Sequence, residues 1–525
     1  MKNRTNGVLY LRLMMLVAAS SHLCRGADTH HVALPILHHE QLFLDDVAIE
    51  RMENVAREIN VVTKQPKPVI TPDGKEHTYI RPVTVIHDDE AGLYKMWYLS
   101  AMGSKYARGE YKTFATAYAT SKDGLVWDKP QLGLKRERDT GANTNWVMWA
   151  TQQTGPNPEP NGPLGKFCFA CSVTKDPQEK DPARRYKAAV VTVDRVNPKK
   201  SLGTAISPDG IHWRSENEFA NTSMHDLGHL LAEPWEKSPS KMRYVFYGRS
   251  YLTYQESIRG DWVKWSHARA VRRYESADFI KWPNGETVLA ADRHDPPETQ
   301  IYSMAVFPYE GLYIGLVNLY CETSGHMYVQ LAVSRNTYRF DRVEPRVEFI
   351  PRGKDGSWDF GCIVVDDGPI IADDEMRFYY GGQSNRHDGG PGSRQRVKES
   401  QPGRSCAIGL GTLKRGRFVA LQARAKEGMV LTRPVVIEGN DLSINANATR
   451  GKIQVTLLDE GGKPIPGYAR TVQGVDRVSI PVTFGPGTLE PLRNRALRIQ
   501  FRMTDAQLYG FRVAGGAQPR PRMTQ

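Results

Sequence analysis

A seven-residue pattern that repeats along the chain constrains the fold more than any other feature of the sequence. The pattern is Ser-x-Asp/Asn-x-x-x-aromatic, and it occurs at residues 121–127, 207–213, 276–282 and, with Asn in place of Asp, 334–340. The Asp or Asn side chain favours a tight turn by bonding to nearby backbone, and glycine permits the positive φ that such a turn needs. Successive serines are 86, 69 and 58 residues apart, which leaves room for four strands in each repeat.

Strand-like segments precede the turns and indicate that each repeat is a β-sheet. Small or β-branched residues lead into the turns, as in 113–120, and an aromatic segment lies upstream, as in 93–98. A fifth unit at 375–412 has such strands but lacks the aromatic turn. Five repeated sheets predict a five-bladed β-propeller; a long β-sandwich with coincidental turns is the alternative. The blades are predicted near residues 74–130, 143–215, 225–285, 298–350 and 357–422.

A different pattern begins after Lys426. Segments between 441 and 501 alternate apolar and polar residues, and Glu460-Gly-Gly-Lys463 is typical of a hairpin turn. The 46 glycines and 33 prolines fit a turn-rich, all-β chain. The predicted organisation is a propeller over 27–426, a C-terminal β-sandwich over 427–515 and a disordered tail over 516–525. Within the first of these, residues 34–73 are predicted to wrap the propeller or to help close it.

The N-terminus has the order of a secretory signal peptide. Basic residues precede the apolar run 13–19, and a segment of small and polar residues ends at Gly26. We therefore predict cleavage after residue 26 and export to the periplasm or the outside. An N-terminal anchor is the alternative, but the run is too short to span a bilayer. No membrane span is predicted elsewhere, because the sequence contains no apolar run of about 18 residues.

Charge and cysteine spacing limit the partners and cofactors. The net charge is +12, or +8 without residues 1–26, and such a basic excess attracts anions non-specifically. The sequence has no run of five Lys or Arg and no nucleic-acid motif, so we predict no nucleic-acid partner and a carbohydrate that is neutral or acidic. Cys168 and Cys171 have the spacing of a metal knuckle, but no second such pair occurs. We predict no cofactor; a structural Ca²⁺ is compatible with a propeller, but no ligand motif supports one.

The whole pattern resembles the five-bladed glycoside hydrolases of families 32, 43 and 68, and looks most like the family 32 arrangement of propeller and sandwich. The resemblance covers roughly 34–515, and together its motifs look like a bacterial family-32-like subgroup. It is carried by the Ser-x-Asp turns, Leu42-Phe-Leu-Asp-Asp46, Tyr94-Lys-Met-Trp-Tyr98 and Gly356-Ser-Trp-Asp359. It implies glycoside hydrolysis at the propeller channel. The Trp-x-Asn-Asp-Pro, Arg-Asp-Pro and Glu-Cys-Pro motifs of that family are absent, so neither fructan specificity nor catalytic residues transfer.

The site residues are therefore predicted from chemistry. Glycoside hydrolysis needs two carboxyl groups across the scissile bond, and a propeller binds ligands at the channel mouth, where inner strands begin. Four predicted inner strands follow a carboxylate, and these carboxylates are the predicted catalytic residues: Glu76, Asp226, Glu298 and Asp359. The Asp residues are expected to serve as base or nucleophile and the Glu residues as acid, because a longer side chain reaches a leaving group more easily. Each of them would otherwise cap a loop.

Six further polar or aromatic residues are predicted to bind substrate: Arg81, Arg249, Tyr302, Glu322, Trp358 and His387. The arginines would hold a sugar carboxylate or sulfate, or would pair with acids between blades. Glycoside hydrolysis is the predicted function. A non-catalytic carbohydrate-binding propeller, which needs no paired acids, and a glycoside phosphorylase, which needs a basic phosphate pocket, are the alternatives. The sequence determines neither the sugar, the linkage nor the oligomeric state.

Overall fold

Nearly all regular structure in the computed structural model is β-strand. The model describes residues 34–36, 39–72, 79–101, 111–136, 141–153, 167–193, 200–221, 227–235, 238–252, 268–387 and 406–515. Two 3₁₀ helices, Pro182–Arg184 and Glu490–Leu492, are the helical elements in these ranges. The all-β prediction is confirmed. None of the described helices is long and apolar enough to cross a membrane. The predicted signal peptide and C-terminal tail lie outside the described residues.

The middle of the chain forms repeated antiparallel units. The short strands that precede them are β1 (Leu34–Ile36), β2 (Gln41–Leu42), β3 (Ile49–Glu53), β4 (Ala56–Ile59) and β5 (Thr63–Lys64). Unit 1 consists of β6 (Tyr79–Asp88), β7 (Leu93–Ala101), β8 (Tyr111–Ser121) and β9 (Trp146–Gln153). Unit 2 consists of β10 (Phe167–Lys175), β11 (Tyr186–Val193), β12 (Lys200–Ser207) and β13 (Arg214–Asn221). Unit 3 consists of β14 (Gly228–Trp235), β15 (Ser238–Tyr251), β16 (Arg269–Ser276) and β17 (Glu286–Ala290).

Two further units share one nine-stranded sheet. Unit 4 consists of β18 (Thr299–Tyr309), β19 (Leu312–Cys321), β20 (Met327–Ser334) and β21 (Asp341–Arg342). Unit 5 consists of β22 (Cys362–Val364), β23 (Ile370–Ala372), β24 (Glu375–Gln383) and β25 (Cys406–Lys414), with β5 paired to the outer side of β25. A parallel pairing of Met327 with Cys362 joins the two units.

The Ser-x-Asp/Asn pattern forms the turn between the third and fourth strands of units 1 to 4, as predicted. In all four turns the Ser Oγ accepts a backbone N–H three residues on, at 2.9–3.0 Å. The Asp or Asn Oδ1 accepts hydrogen bonds from the backbone N–H groups two and three residues further on, at 2.8–3.2 Å. The residue directly after the Asp or Asn has a positive φ. In units 1 to 4 it is Gly124, Gly210, Phe279 and Thr337, respectively. Side-chain hydrogen bonding therefore holds the turn even where glycine is missing.

The predicted bounds of units 1 to 3 end too early, because the fourth strands β9, β13 and β17 extend beyond the predicted ends at 130, 215 and 285. The strands of units 4 and 5 lie within their predicted bounds. Strand β9, for example, pairs with β8 although it lies within the predicted second blade. Each turn also contacts a neighbouring unit: the preceding one for units 2 to 4, and unit 5 for unit 1. The hydrogen bonds are Trp97 Nε1 to Gly210 O (2.8 Å), Asn221 Nδ2 to Trp282 O (2.9 Å), Arg273 Nε to Thr337 Oγ1 (3.1 Å) and Tyr379 Oη to Gly124 O (2.7 Å).

The end of the chain forms two more sheets. Their remaining strands are β26 (Val419–Ala423), β27 (Gly428–Thr432), β28 (Val435–Ile437), β29 (Asp441–Asn447), β30 (Lys452–Asp459), β31 (Pro464–Gln473), β32 (Asp476–Pro481), β33 (Ala496–Thr504) and β34 (Ala506–Ala514). The seven-stranded sheet contains β1, β3, β27, β28, β30, β31 and β33, and the six-stranded sheet contains β2, β4, β26, β29, β32 and β34. The predicted hairpin turn between β30 and β31 is confirmed, since the Asp459 N–H donates to Lys463 O at 2.8 Å.

Strand β5 of the N-terminal segment pairs with the outer side of β25 in unit 5, which fits the predicted closing role. The part of the segment that precedes β5 does not wrap the units. It instead contributes β1 to β4 to the two C-terminal sheets, which also include β26, before the predicted boundary at 426. Pairing between strands distant in sequence depends on backbone hydrogen bonds, which leave no local sequence pattern. One hydrophobic core continues from units 4 and 5 into these sheets. In this core the ring of Phe349 lies 5.4 Å from that of Phe378 and 6.1 Å from that of Phe418.

Candidate functional site

The repeated units have two ends, which are set by the direction of their strands. The end that carries the Ser-x-Asp/Asn turns is called here the turn end. At the opposite end, the mouth end, the first strand of each unit begins and its second strand finishes. Because the strands of each unit are antiparallel, residues at the start of β18 and the finish of β15 and β19 come to this same end.

Three aromatic side chains meet at the mouth end of units 4 and 5. Tyr302 on β18 lies edge-to-face with Tyr320 on β19, with ring centroids 6.2 Å apart. His387, which follows β24, contacts both rings, at 5.2 Å from Tyr302 and 5.0 Å from Tyr320. Tyr320 is buried, whereas Tyr302 and His387 are half-buried.

Two arginines from unit 3 extend toward these rings. The guanidinium carbon of Arg249 lies 4.6 Å from the Tyr302 ring centroid, and that of Arg269 lies 5.6 Å from the centroids of both tyrosines. In the β15–β16 pairing, Arg269 is opposite Tyr251 and Arg249 is opposite Val271, so the two arginines are diagonal neighbours on one face. The five side chains Arg249, Arg269, Tyr302, Tyr320 and His387 are called the ring–arginine cluster.

Two carboxylates lie beside this cluster. Gln300 connects it to Glu322: its side-chain carbonyl accepts the Arg269 backbone N–H at 2.9 Å, and its amide donates to Glu322 Oε1 at 2.8 Å. The Glu322 N–H donates to the backbone carbonyl of Glu298 at 3.1 Å. Glu298 is half-buried and its Oε1 accepts the hydroxyl of Thr323 at 3.2 Å, whereas Glu322 is exposed.

Asp359 has a different environment. Its Oδ2 accepts from Lys64 Nζ at 2.6 Å and from the Tyr380 hydroxyl at 3.2 Å, and its Oδ1 accepts from Ser357 Oγ at 3.1 Å. Trp358 stacks on Tyr380 at 5.7 Å, with planes 15° apart. The Asp359 carboxylate is buried and both of its oxygens are occupied by donors of this chain.

Arg81 is also part of a buried ion pair. Its Nη1 lies 2.5 Å from Asp366 Oδ2, and both side chains are about 6% exposed. Burial raises the pKa of Asp366, although the charge of Arg81 acts in the opposite direction. The space that a side chain at Gly381 would need is filled by Arg81, while that at Gly382 is filled by Trp358 and Asp359. Adjacent strand residues point to opposite faces, so Arg81 and Asp359 lie on opposite faces of β24.

Asp367, the residue after Asp366, forms a second buried contact in the middle of the units. The Val306 N–H donates to His229 Nδ1 at 3.3 Å, and His229 Nε2 lies 3.0 Å from Asp367 Oδ1. Nδ1 is thus an acceptor, which assigns the proton to Nε2 and makes it a donor to Asp367. Asp367 Oδ2 also accepts the Val85 N–H at 3.0 Å. These contacts connect units 1, 3, 4 and 5 and serve packing.

The predicted site residues thus separate into three sets. The structure brings together Arg249, Tyr302, Glu298, Glu322 and His387. It places Arg81, Asp359 and Trp358 in other contacts. Glu76 and Asp226 lie outside the described residues.

Sequence reasoning missed Arg269, Tyr320 and Gln300. The diagonal pairing of Arg249 with Arg269 would have pointed to the first of these, but it depends on the register of β15 and β16, which residue patterns did not reveal. The described residues contain no group of three or more His, Cys, Asp or Glu side chains arranged to hold a metal ion.

Comparisons with known proteins give structural similarity at low identity. No protein-family model and no curated protein matches the chain. An N-acetylgalactosamine deacetylase from F. plautii, in complex with blood group B trisaccharide, is 14% identical with a TM-score of 0.41, over 69% of this chain and 96% of that one. A structure from the GH130 family of mannoside phosphorylases and glycoside hydrolases is 13% identical with a TM-score of 0.41, over 68% and 95%. A glycosyl hydrolase from Bacteroides ovatus is 14% identical with a TM-score of 0.38, over 72% and 98%. Similarity at this level identifies neither the family nor the reaction.

Proposed function

We propose that the protein is an exported glycoside hydrolase that cleaves a polysaccharide or oligosaccharide. The observation that carries the proposal is the position of Glu298 and Glu322 beside the ring–arginine cluster at the mouth end. Aromatic side chains offer apolar faces against which a sugar ring packs. Two carboxyl groups next to such a surface are what glycosidic bond cleavage requires.

The two carboxylates suit different roles. Glu298 is half-buried and held by Thr323, so it is positioned to protonate a leaving-group oxygen. Glu322 is exposed and has access to the water that a general base activates. Asp226 and Glu76, which lie outside the described residues, stay in the proposal as further candidate catalytic carboxylates. Asp359 is assigned a structural role, because Lys64 neutralises it.

The proposal includes a five-bladed propeller formed by units 1 to 5, followed by a β-sandwich formed by the two C-terminal sheets. The order of the turn contacts supports it, since unit 5 holds the turn of unit 1 in the way that units 1 to 3 hold those of their successors. A crystal structure tests it: Trp127, Trp213 and Trp282 should be related by rotations of about 72° about one axis. A different rotation would exclude five blades.

Export is proposed from the N-terminal sequence pattern. Mass spectrometry of the protein recovered from its native compartment should find a chain that starts after residue 26. An intact Met1 in that compartment would contradict this part of the proposal.

The hydrolase proposal is tested by reducing-sugar release from a panel of polysaccharides and oligosaccharides. The wild-type protein should release sugar from at least one of them, and Glu298→Gln and Glu322→Gln should each abolish most of the release. Glu286→Gln, an exposed glutamate at the turn end, is the matched control and should leave release unchanged. Release that requires added phosphate would instead identify a phosphorylase.

A non-catalytic carbohydrate-binding propeller is the second candidate. The ion pair of Asp359 with Lys64 favours it, because one predicted catalytic carboxylate is thereby neutralised in the fold. Binding that survives both Glu→Gln substitutions, with no sugar released by the wild-type protein from any substrate, would establish the binding function in place of hydrolysis.

A further inference from the structure

Arg269 lies against two aromatic rings rather than a carboxylate. The half-buried Arg346 and Arg352, in contrast, pair with Asp292 and Glu348. Arg269 has no ion pair with any carboxylate in the part of the chain that the structure describes, and its Nε is buried without a hydrogen-bond acceptor. Its guanidinium carbon instead lies 5.6 Å from the ring centroids of Tyr302 and Tyr320.

Two aromatic faces compensate such a cation only in part. Cation–π contact stabilises the charge, but it satisfies none of the five N–H donors of the guanidinium. A planar oxyanion would accept two of these donors at once, in the bidentate geometry that arginine forms with carboxylates and related groups. The nearby Arg249, 4.6 Å from the Tyr302 ring, adds a second positive charge to the same surface.

We infer that the ring–arginine cluster binds the oxyanion group of an acidic saccharide, a carboxylate or a sulfate ester, with Arg269 as its main ligand. The inference rests on the proposed function in that it takes the same site to bind sugar. Arg269 holds the anionic group, and Tyr302 packs against a sugar ring. Gln300 keeps Arg269 in place by accepting its backbone N–H. Glu322 bonds to the Gln300 amide nitrogen while Arg269 bonds to its carbonyl oxygen, so the negative charge of Glu322 disfavours an anionic group there and orients the acidic sugar toward Arg269.

The test is calorimetric binding of matched oligosaccharides to the full chain. One arm compares a uronic acid oligomer with its carboxyl-reduced counterpart, and the other compares a sulfated oligomer with its desulfated counterpart. The wild-type protein should bind one acidic member at least about tenfold more tightly than its neutral partner, since charge-assisted hydrogen bonds are the stronger kind. This preference should shrink as ionic strength rises.

Substitutions distinguish the contribution of Arg269 to binding from that of the overall positive charge of the protein. Arg269→Gln should lose most of the preference for the acidic oligomer, because only the charge of Arg249 remains. Arg269→Lys, which keeps the charge but loses the planar fork, should retain more of it. Arg352→Gln is the control, because Arg352 also lies over a tyrosine ring, at 5.8 Å from Tyr328, but is paired with Glu348. It should leave the preference unchanged. Equal binding of both oligomers by the wild type, or a preference that is undiminished in Arg269→Gln, overturns the inference.

The inference and the proposed function fail separately. Sugar release from a neutral glycan together with no acidic preference would overturn the inference and leave the hydrolase proposal in place. An acidic preference that depends on Arg269, with no release from any acidic or neutral glycan, would support the inference and overturn the hydrolase proposal.

Discussion

The turn end and the mouth end of the repeated units are built in opposite ways. At the turn end, the Ser and the Asp or Asn side chains of the pattern bond to groups within a few residues, as Asp278 Oδ1 does to the backbone N–H groups of Ile280 and Lys281 at 2.8 Å. At the mouth end, Arg269, Tyr302 and His387 come from three different units. Short-range contacts produce the same local structure four times over, whereas long-range contacts produce one unrepeated arrangement. Stability is therefore expected to depend on the first region and chemistry on the second.

Substitutions at the two ends should differ most in their effect on catalytic turnover. Glu298→Gln should lower kcat by about 10²–10⁴-fold without lowering the melting temperature, because general acid assistance is lost while the shape is kept. Asp278→Ala should lower the melting temperature and leave kcat/KM of the folded protein unchanged. Steady-state kinetics and thermal melts of both variants check this pair. An equal loss of turnover in both would remove the functional distinction between the ends.

Asp359→Asn tests whether Asp359 stabilises the fold or takes part in catalysis. The substitution leaves Lys64, which is 17% exposed, without its partner at 2.6 Å. Removing one member of a largely buried ion pair should lower the free energy of unfolding by about 3 kcal/mol, measured by urea unfolding at neutral pH. Turnover of the folded fraction should be retained. A loss of at least about 10²-fold in turnover with unchanged stability would instead restore Asp359 to the catalytic residues.

A smaller effect tests whether the turns depend on hydrogen-bond acceptors or on charge. Asp278→Ala should cost about 1 kcal/mol, as loss of a comparable capping side chain does. Asp278→Asn should cost much less, because Asn336 already accepts the same two N–H groups in the turn of unit 4, at 3.0 and 3.2 Å. Urea unfolding of both variants measures the difference. Equal costs would show that the negative charge is required.

The smallest expected effect is a pH dependence at the turn end. Burial acts to raise the pKa of Asp209, but hydrogen bonds from the His212 side chain and nearby backbone N–H groups outweigh it and lower the pKa to about 2. A lowered folded-state pKa stabilises the fold above the unfolded-state pKa, near 4, and this contribution disappears as pH falls through about 2. At pH 6 the free energy of unfolding of the wild type should exceed that of Asp209→Asn by about 1 kcal/mol or less, since the site is partly exposed. The difference should vanish near pH 2, measured by urea unfolding.

The sequence by itself determined the turns, because the hydrogen bonds that shape each turn join residues within one seven-residue pattern. The same side chains that form the Ser-x-Asp/Asn pattern also bond the turn's backbone, so the pattern could be interpreted without knowing what surrounds it. Positive φ values at Phe279 and Thr337 show that these bonds hold even where glycine is replaced. The all-β class followed from the repetition of this unit with its strands.

Only the tertiary structure decided which residues meet at the mouth. Arg81, Arg249 and Asp359 looked alike in sequence as polar residues near predicted inner strands. The structure pairs Arg81 with Asp366 and Asp359 with Lys64, and brings Arg249 and Arg269 to Tyr302. These outcomes depend on strand register and on which face of β24 a residue occupies. A shift of one residue along a strand reverses that face, and residue type does not encode the shift.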